Sequence, residues 1–138
     1  MFRKSGVPKA YGCERVRGVS GLDGGRGEAD YLAYDPGADE FVCYGIASSA
    51  KRAKATVKRP WCGSYNVLVV AADVLAELGE AELLSGVPHE VGLSVCVDGG
   101  LISIREPERI RLSEEKLSEL KAALMRALFL KSGRSGLC

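Results

Sequence analysis

The stretch EADYLAYDPGADEFVCYGI, residues 28–46, decides how the rest of the chain is read. Tyr31 to Tyr34 and Phe41 to Ile46 are rich in aromatic and β-branched residues, which favour a pleated, half-buried backbone. Between them Asp35-Pro36-Gly37 is turn chemistry: proline presets φ at the second turn position, and the aspartate can accept its own downstream backbone N–H. The spacing predicts an antiparallel hairpin, with Asp30 as a carboxylate on its first strand.

Toward the N-terminus, ERVRGV (14–19) alternates in the manner of a half-exposed strand, and GLDGGRG (21–27) follows with four glycines in seven residues. Those glycines lack the spacing and the strand-to-helix setting of a phosphate loop. Residues 1–13 show no periodicity and read as a loose arm. Toward the C-terminus, SSAKRAKATVKR (48–59) offers Ser48 or Ser49 as an N-cap, alanines as helix formers and Pro60 as a stop, which predicts a short basic helix.

NVLVVAA (66–72) reads as a strand buried on both faces, and DVLAELGEAELL as a short helix capped by Asp73 and interrupted at Gly79. VGLSVCVD (91–98) and LISIR (101–105) are two further strands around Asp98-Gly99-Gly100, an Asx-Gly hairpin signal. Ser113 caps a last helix with Glu114 and Glu115 in its first turn and a stripe of Leu117, Leu120, Leu124 and Leu128. Residues 132–138 read as a flexible tail, so a single α/β domain is expected over 14–131, a mixed β-sheet flanked by helices.

Bulk properties narrow the function classes without choosing one. The 138 residues are 46% hydrophobic and 27% charged, a profile of a folded domain rather than a disordered chain. With 19 Lys and Arg against 18 Asp and Glu, net charge selects no partner, so only local clusters can. Apolar runs such as 67–72 are too short to cross a bilayer, and no apolar stretch follows the basic N-terminus, so no membrane partner and a cytoplasmic location are expected. Five cysteines without a CxxC pair, beside one histidine, suggest neither zinc nor a redox dithiol. Cys43 and Cys96 read as buried strand residues, and a Cys13–Cys62 bridge is an open alternative.

Element order and the strings GEADYLAYD, EFVCYGIAS with its basic helix, NVLVVAADV and VGLSVCVDGGLISIREP together resemble restriction-endonuclease-like nucleases of the Asp…(Asp/Glu)-x-Lys type, over roughly residues 14–110. The resemblance implies that fold, with Asp30 as the first metal-binding acid. It further implies a carboxylate and, two residues later, a lysine on the next strand, which together with Asp30 would hold Mg²⁺ and position the attacking water. Tyr44 and Ile46 stand at those places, so the motif is broken. A glutamate from a leading helix, usual in the family, has no counterpart, since Glu14 falls on a strand. If catalytic groups have migrated onto the following helix, Lys51 or Lys54 would be the lysine and Asp39 or Glu40 the second acid.

Lys51, Arg52, Lys54, Lys58 and Arg59, followed by Trp61 and Tyr65, form the one local departure from charge balance. Cations replace phosphate counterions and aromatic rings stack on bases, so this segment is the candidate surface for DNA or RNA. His89 stands in a connection without a recognisable nucleophile, and Asp35 and Asp98 are explained by their turns. The expected protein is a nucleic-acid-binding or non-catalytic subunit with a degenerate nuclease-like site and no cofactor. Its alternatives are an active Mg²⁺-dependent endonuclease using Asp30 with Lys51 or Lys54, and a ligand-free homo-oligomer paired through the hairpin edge or the terminal helix.

Overall fold

Asp35 closes the hairpin as its residue type foretells: its Oδ1 accepts the N–H of Gly37 at 3.0 Å. The computed structural model describes residues 11–21 and 25–135. Its elements are β1 (Tyr11–Ser20), β2 (Arg26–Asp35), β3 (Glu40–Ala47), α1 (Ala50–Thr56), β4 (Tyr65–Ala71), α2 (Ala72–Leu78), α3 (Glu80–Ser85), β5 (Gly92–Val97), β6 (Gly100–Arg105) and α4 (Glu114–Ser135). The strands form one six-stranded sheet in chain order. β1, β2 and β3 are antiparallel neighbours, β3–β4 and β4–β5 are parallel, and β5–β6 is antiparallel again. Each parallel step needs a crossover, which α1 supplies for the first and α2 with α3 for the second.

Local chemistry explains most boundaries. Ser49 Oγ accepts the N–H of Arg52 at 3.2 Å, and Ser113 Oγ accepts that of Lys116 at 3.1 Å, so both expected serine caps form. α1 ends at Thr56, ahead of Pro60. Gly79, at φ 87°, separates α2 from α3. Asp98 and Gly99 both take positive φ, 48° and 80°, the paired left-handed geometry of a two-residue hairpin turn. Asp73 is not the cap of α2: Ala71 holds that position without a side-chain hydrogen bond, and Asp73 lies in the first turn, where a carboxylate favours the helix dipole.

The sheet carries its helices on one face. Register aligns Leu32, Cys43 and Asn66 on that face, and a side chain added at Gly45 would meet Trp61 and Thr56. Ala53 of α1, Val74 of α2, Leu83 of α3 and Leu120 of α4 share one buried cluster with Leu32, Cys43 and Leu68. One core joins every element, so the chain is a single α/β domain. Val67 and Val69 are buried but stand outside that cluster, on the opposite face with Tyr31, Tyr44 and Ile46. β4 is thus buried on both faces, as its apolar run foretells, although the helices lie on one of them.

Two boundaries move. β1 begins at Tyr11, so the last residues assigned to the arm belong to the sheet, and α4 continues to Ser135, into the expected tail. Residues 1–10, 22–24 and 136–138, with the rest of the arm, part of the glycine tract and Cys138, lie outside the described residues. Cys13, Cys43, Cys62 and Cys96 are free thiols. Cys62 engages Cys43 rather than Cys13: their hydrogen bond, then burial, holds the Cys62 thiol well above its usual pKa. Cys96 is exposed, against the expectation of a buried strand residue. Among the described residues no helix is long and apolar enough to cross a membrane.

Candidate functional site

Asp30 lies on β2, one residue beyond the point where the β2–β3 ladder ends at Tyr31 and Tyr44. Its carboxylate takes over from the missing backbone partner: Oδ2 accepts the N–H of Ile46 at 2.8 Å. Oδ1 pairs with Arg59 Nη2 at 3.0 Å, and the aspartate side chain is 15% exposed. Both oxygens are thus engaged in holding β2, β3 and the segment after α1 together.

Strand parity decides what Asp30 can meet. Side chains alternate between faces, so Asp30 shares the helix-bearing face with Leu32 and with Gly45, which abuts Trp61. Tyr44 and Ile46 project to the other face. There Tyr44 meets Tyr31 edge-on, with ring centroids 6.1 Å apart, and burial followed by the Tyr31 charge pushes its pKa up to about 12. An acid at position 44 and a lysine at 46 would therefore still face away from Asp30. The positions on its own face are Cys43, Gly45 and Ala47, which offer neither a carboxylate nor an amine.

The cation at Asp30 is Arg59, not Lys51 or Lys54. Arg59 also reaches Glu28 at 4.0 Å, while its Nε is buried and unsatisfied among the described residues. Asp39 and Glu40, the alternative acids, are engaged elsewhere. Asp39 accepts from Tyr34 Oη at 2.7 Å and pairs with Lys121 at 3.0 Å; both hydrogen bonds, Tyr34's first, lower its pKa. Glu40 pairs with Arg109. No group of three or more His, Cys, Asp or Glu able to hold a metal occurs among the described residues, and both Asp30 oxygens are taken by Arg59 and the Ile46 N–H.

The basic segment is partly as expected. Lys51, Arg52, Lys54 and Lys58 are exposed, and none of the four forms an ion pair among the described residues. Arg59 is half-buried and committed to its acids. Trp61 is a correction: it is 6% exposed, donates Nε1–H to Val57 O at 3.2 Å and fills the space beside Gly45, so it offers no ring for a base to stack on. His89 is exposed beside Glu90 and Glu108, with Nε2–oxygen distances of 3.4 and 3.9 Å.

One feature was not legible along the chain. A groove of about 720 Å³ runs between β1 and α4, with Arg15, Arg17, Arg126 and Lys131 around it. Arg17 pairs with Glu28 at 3.3 Å, the same glutamate that Arg59 approaches, so an Arg17–Glu28–Arg59 chain links this groove to the basic segment.

No family model and no curated protein matches the sequence. Among solved structures, the chain is similar to the SPO1766 protein of unknown function from Silicibacter pomeroyi: TM-score 0.64 at 18% identity, covering 91% of this chain and 80% of that one. At that identity the likeness speaks to fold, a six-stranded mixed sheet flanked by helices, and to nothing further.

Proposed function

We propose that the protein is a non-catalytic nucleic-acid-binding module of the cytoplasm, contacting phosphates through Lys51, Arg52, Lys54 and Lys58. The observation that carries this is four exposed cations on and just after α1, none neutralised by a carboxylate of the described residues. In a chain with a net charge of only +1, such a surface is a local excess rather than part of a general bias. A nuclease-like outline is in keeping with the antiparallel β1–β2–β3 meander that crosses through α1 to a parallel β4. The pairing of Asp30 with Arg59 and the Ile46 N–H weighs against magnesium-dependent cleavage, because metal binding would have to displace both partners. Fluorescence anisotropy with labelled DNA and RNA tests the reading: Lys51→Gln/Lys54→Gln/Lys58→Gln should weaken binding across sequences, and supercoiled DNA with Mg²⁺ should stay intact.

A second reading, pairing of two copies through α4, has its own observation. Met125 and Phe129, 70% and 78% exposed, stand with Ala122 on the side of α4 opposite Leu120 and Leu124. Sedimentation over a range of concentrations tests it: a dimer that Phe129→Glu dissociates supports pairing, and a monomer throughout excludes it.

A further inference from the structure

The groove between β1 and α4 brings together cations that are more than a hundred residues apart in the chain. Arg15 and Arg17 come from the strand, Arg126 and Lys131 from the helix, against a single lining carboxylate, Glu14. Arg17 has Glu28 as an acidic partner; Arg15, Arg126 and Lys131 have no ion pair among the described residues. Between the charges α4 contributes the apolar side chains of Ala127 and Leu130. Like charges gathered on one groove repel, which costs free energy unless an anion enters.

The backbone of β1 is bent where it borders this groove. Arg15 takes φ 54°, left-handed geometry that costs a residue with a Cβ on the order of 1–2 kcal/mol. Gly18, at φ 77°, sits at the register shift between Arg17 and Val19. A Cβ at Gly18 would stand 3.3 Å from Arg126 Nη2, so the bulge lets the guanidinium lie close along the strand. Two left-handed residues within one ten-residue strand thus both fall where its arginines meet α4.

We infer that this groove is a phosphate-binding track for single-stranded nucleic acid, in line with the α1 segment through the Arg17–Glu28–Arg59 chain. The inference rests on the nucleic-acid reading and adds a second contact surface and a strand class to it. Its concavity and its mixture of cations with apolar side chains suit unpaired nucleotides, whose backbone follows the cations while bases contact Ala127 and Leu130. A free nucleotide shares the same phosphate chemistry, and the test separates the two.

Anisotropy titrations should use a single-stranded oligonucleotide of about 12 nucleotides, its duplex and a mononucleotide competitor. The proteins are wild type, Lys51→Gln/Lys54→Gln/Lys58→Gln, and Arg15→Gln/Arg126→Gln/Lys131→Gln. Losing three phosphate contacts should weaken the groove variant about tenfold or more and lower the slope of log K against log salt by roughly 2. Far-UV circular dichroism checks its fold, and Arg15→Gln/Lys131→Gln carries the test if Arg126→Gln disturbs β1. A groove variant that binds as wild type while the α1 variant is weakened overturns the groove and leaves the nucleic-acid reading standing. A wild type that prefers duplex, or loses the oligonucleotide to equimolar mononucleotide, overturns the strand class. A wild type that binds no nucleic acid overturns both.

Discussion

Asp30 and Arg59 form a 3.0 Å ion pair between β2 and the segment after α1, and the second carboxylate oxygen caps the Ile46 N–H where the β2–β3 ladder has ended. Asp30 is thus a three-way clamp on β2, β3 and the segment after α1. Replacing it should therefore be felt in stability. Asp30→Ala leaves the Ile46 N–H and a half-buried guanidinium short of a partner, at a cost of about 1 kcal/mol. Urea unfolding should show the loss with little change in oligonucleotide affinity; unchanged stability would sink the clamp.

Gly45 belongs to the packing of Trp61. A Cβ at that position would lie 2.6 Å from the indole and 3.0 Å from Thr56 Cγ2, in the middle of the core face. Gly45→Ala should destabilise by about 1–3 kcal/mol through overpacking, read as a lower thermal midpoint. An alanine variant as stable as wild type would mean that Trp61 moves freely.

The Asp98-Gly99 turn sets the β5–β6 register. Gly99 at φ 80° has nothing within contact distance of an added Cβ, so the cost of Gly99→Ala is backbone strain alone, about 1 kcal/mol. Asp98→Asn, which tolerates left-handed φ at least as well, should be close to neutral in the same unfolding assay.

Glu119 ties α4 to the end of β1, accepting the Ser20 hydroxyl at 2.7 Å and its N–H at 2.9 Å. The hydroxyl bond first, with the N–H and Lys116 behind it, holds the Glu119 pKa below the usual carboxylate value despite partial burial. A depressed folded pKa contributes stability that is present above the unfolded value, near 4.5, and lost as pH falls through the folded one. Glu119→Gln should therefore flatten the acid limb of the stability profile below about pH 4.5. An acid limb as steep as wild type would contradict this.

Features of the chain that depend on neighbours in sequence were legible in it. Ser49, Ser113, Asp35 and Asp98-Gly99 act over two to four residues, and each does what its residue type foretells. Features that depend on pairing were not. Whether Tyr44 and Ile46 face Asp30 is a question of strand parity, which only the β2–β3 register answers. The clamp hides in the same way, since Arg59 reads as one more charge of a basic run until the fold carries it back to β2. Trp61 beside lysines looks like a stacking residue; a glycine inside β3 (Glu40–Ala47) was the available sign that a large side chain presses on that strand. The β1–α4 groove had no local signature, its arginines being divided between the two ends of the chain.

Salt dependence of oligonucleotide binding tests the central claim most directly. Wild type should lose affinity steeply as salt rises, and Lys51→Gln/Lys54→Gln/Lys58→Gln should lower the slope of log K against log salt by roughly 0.7 per phosphate contact removed from a single strand. A wild-type affinity indifferent to salt, or a slope that the three substitutions leave unchanged, would contradict it.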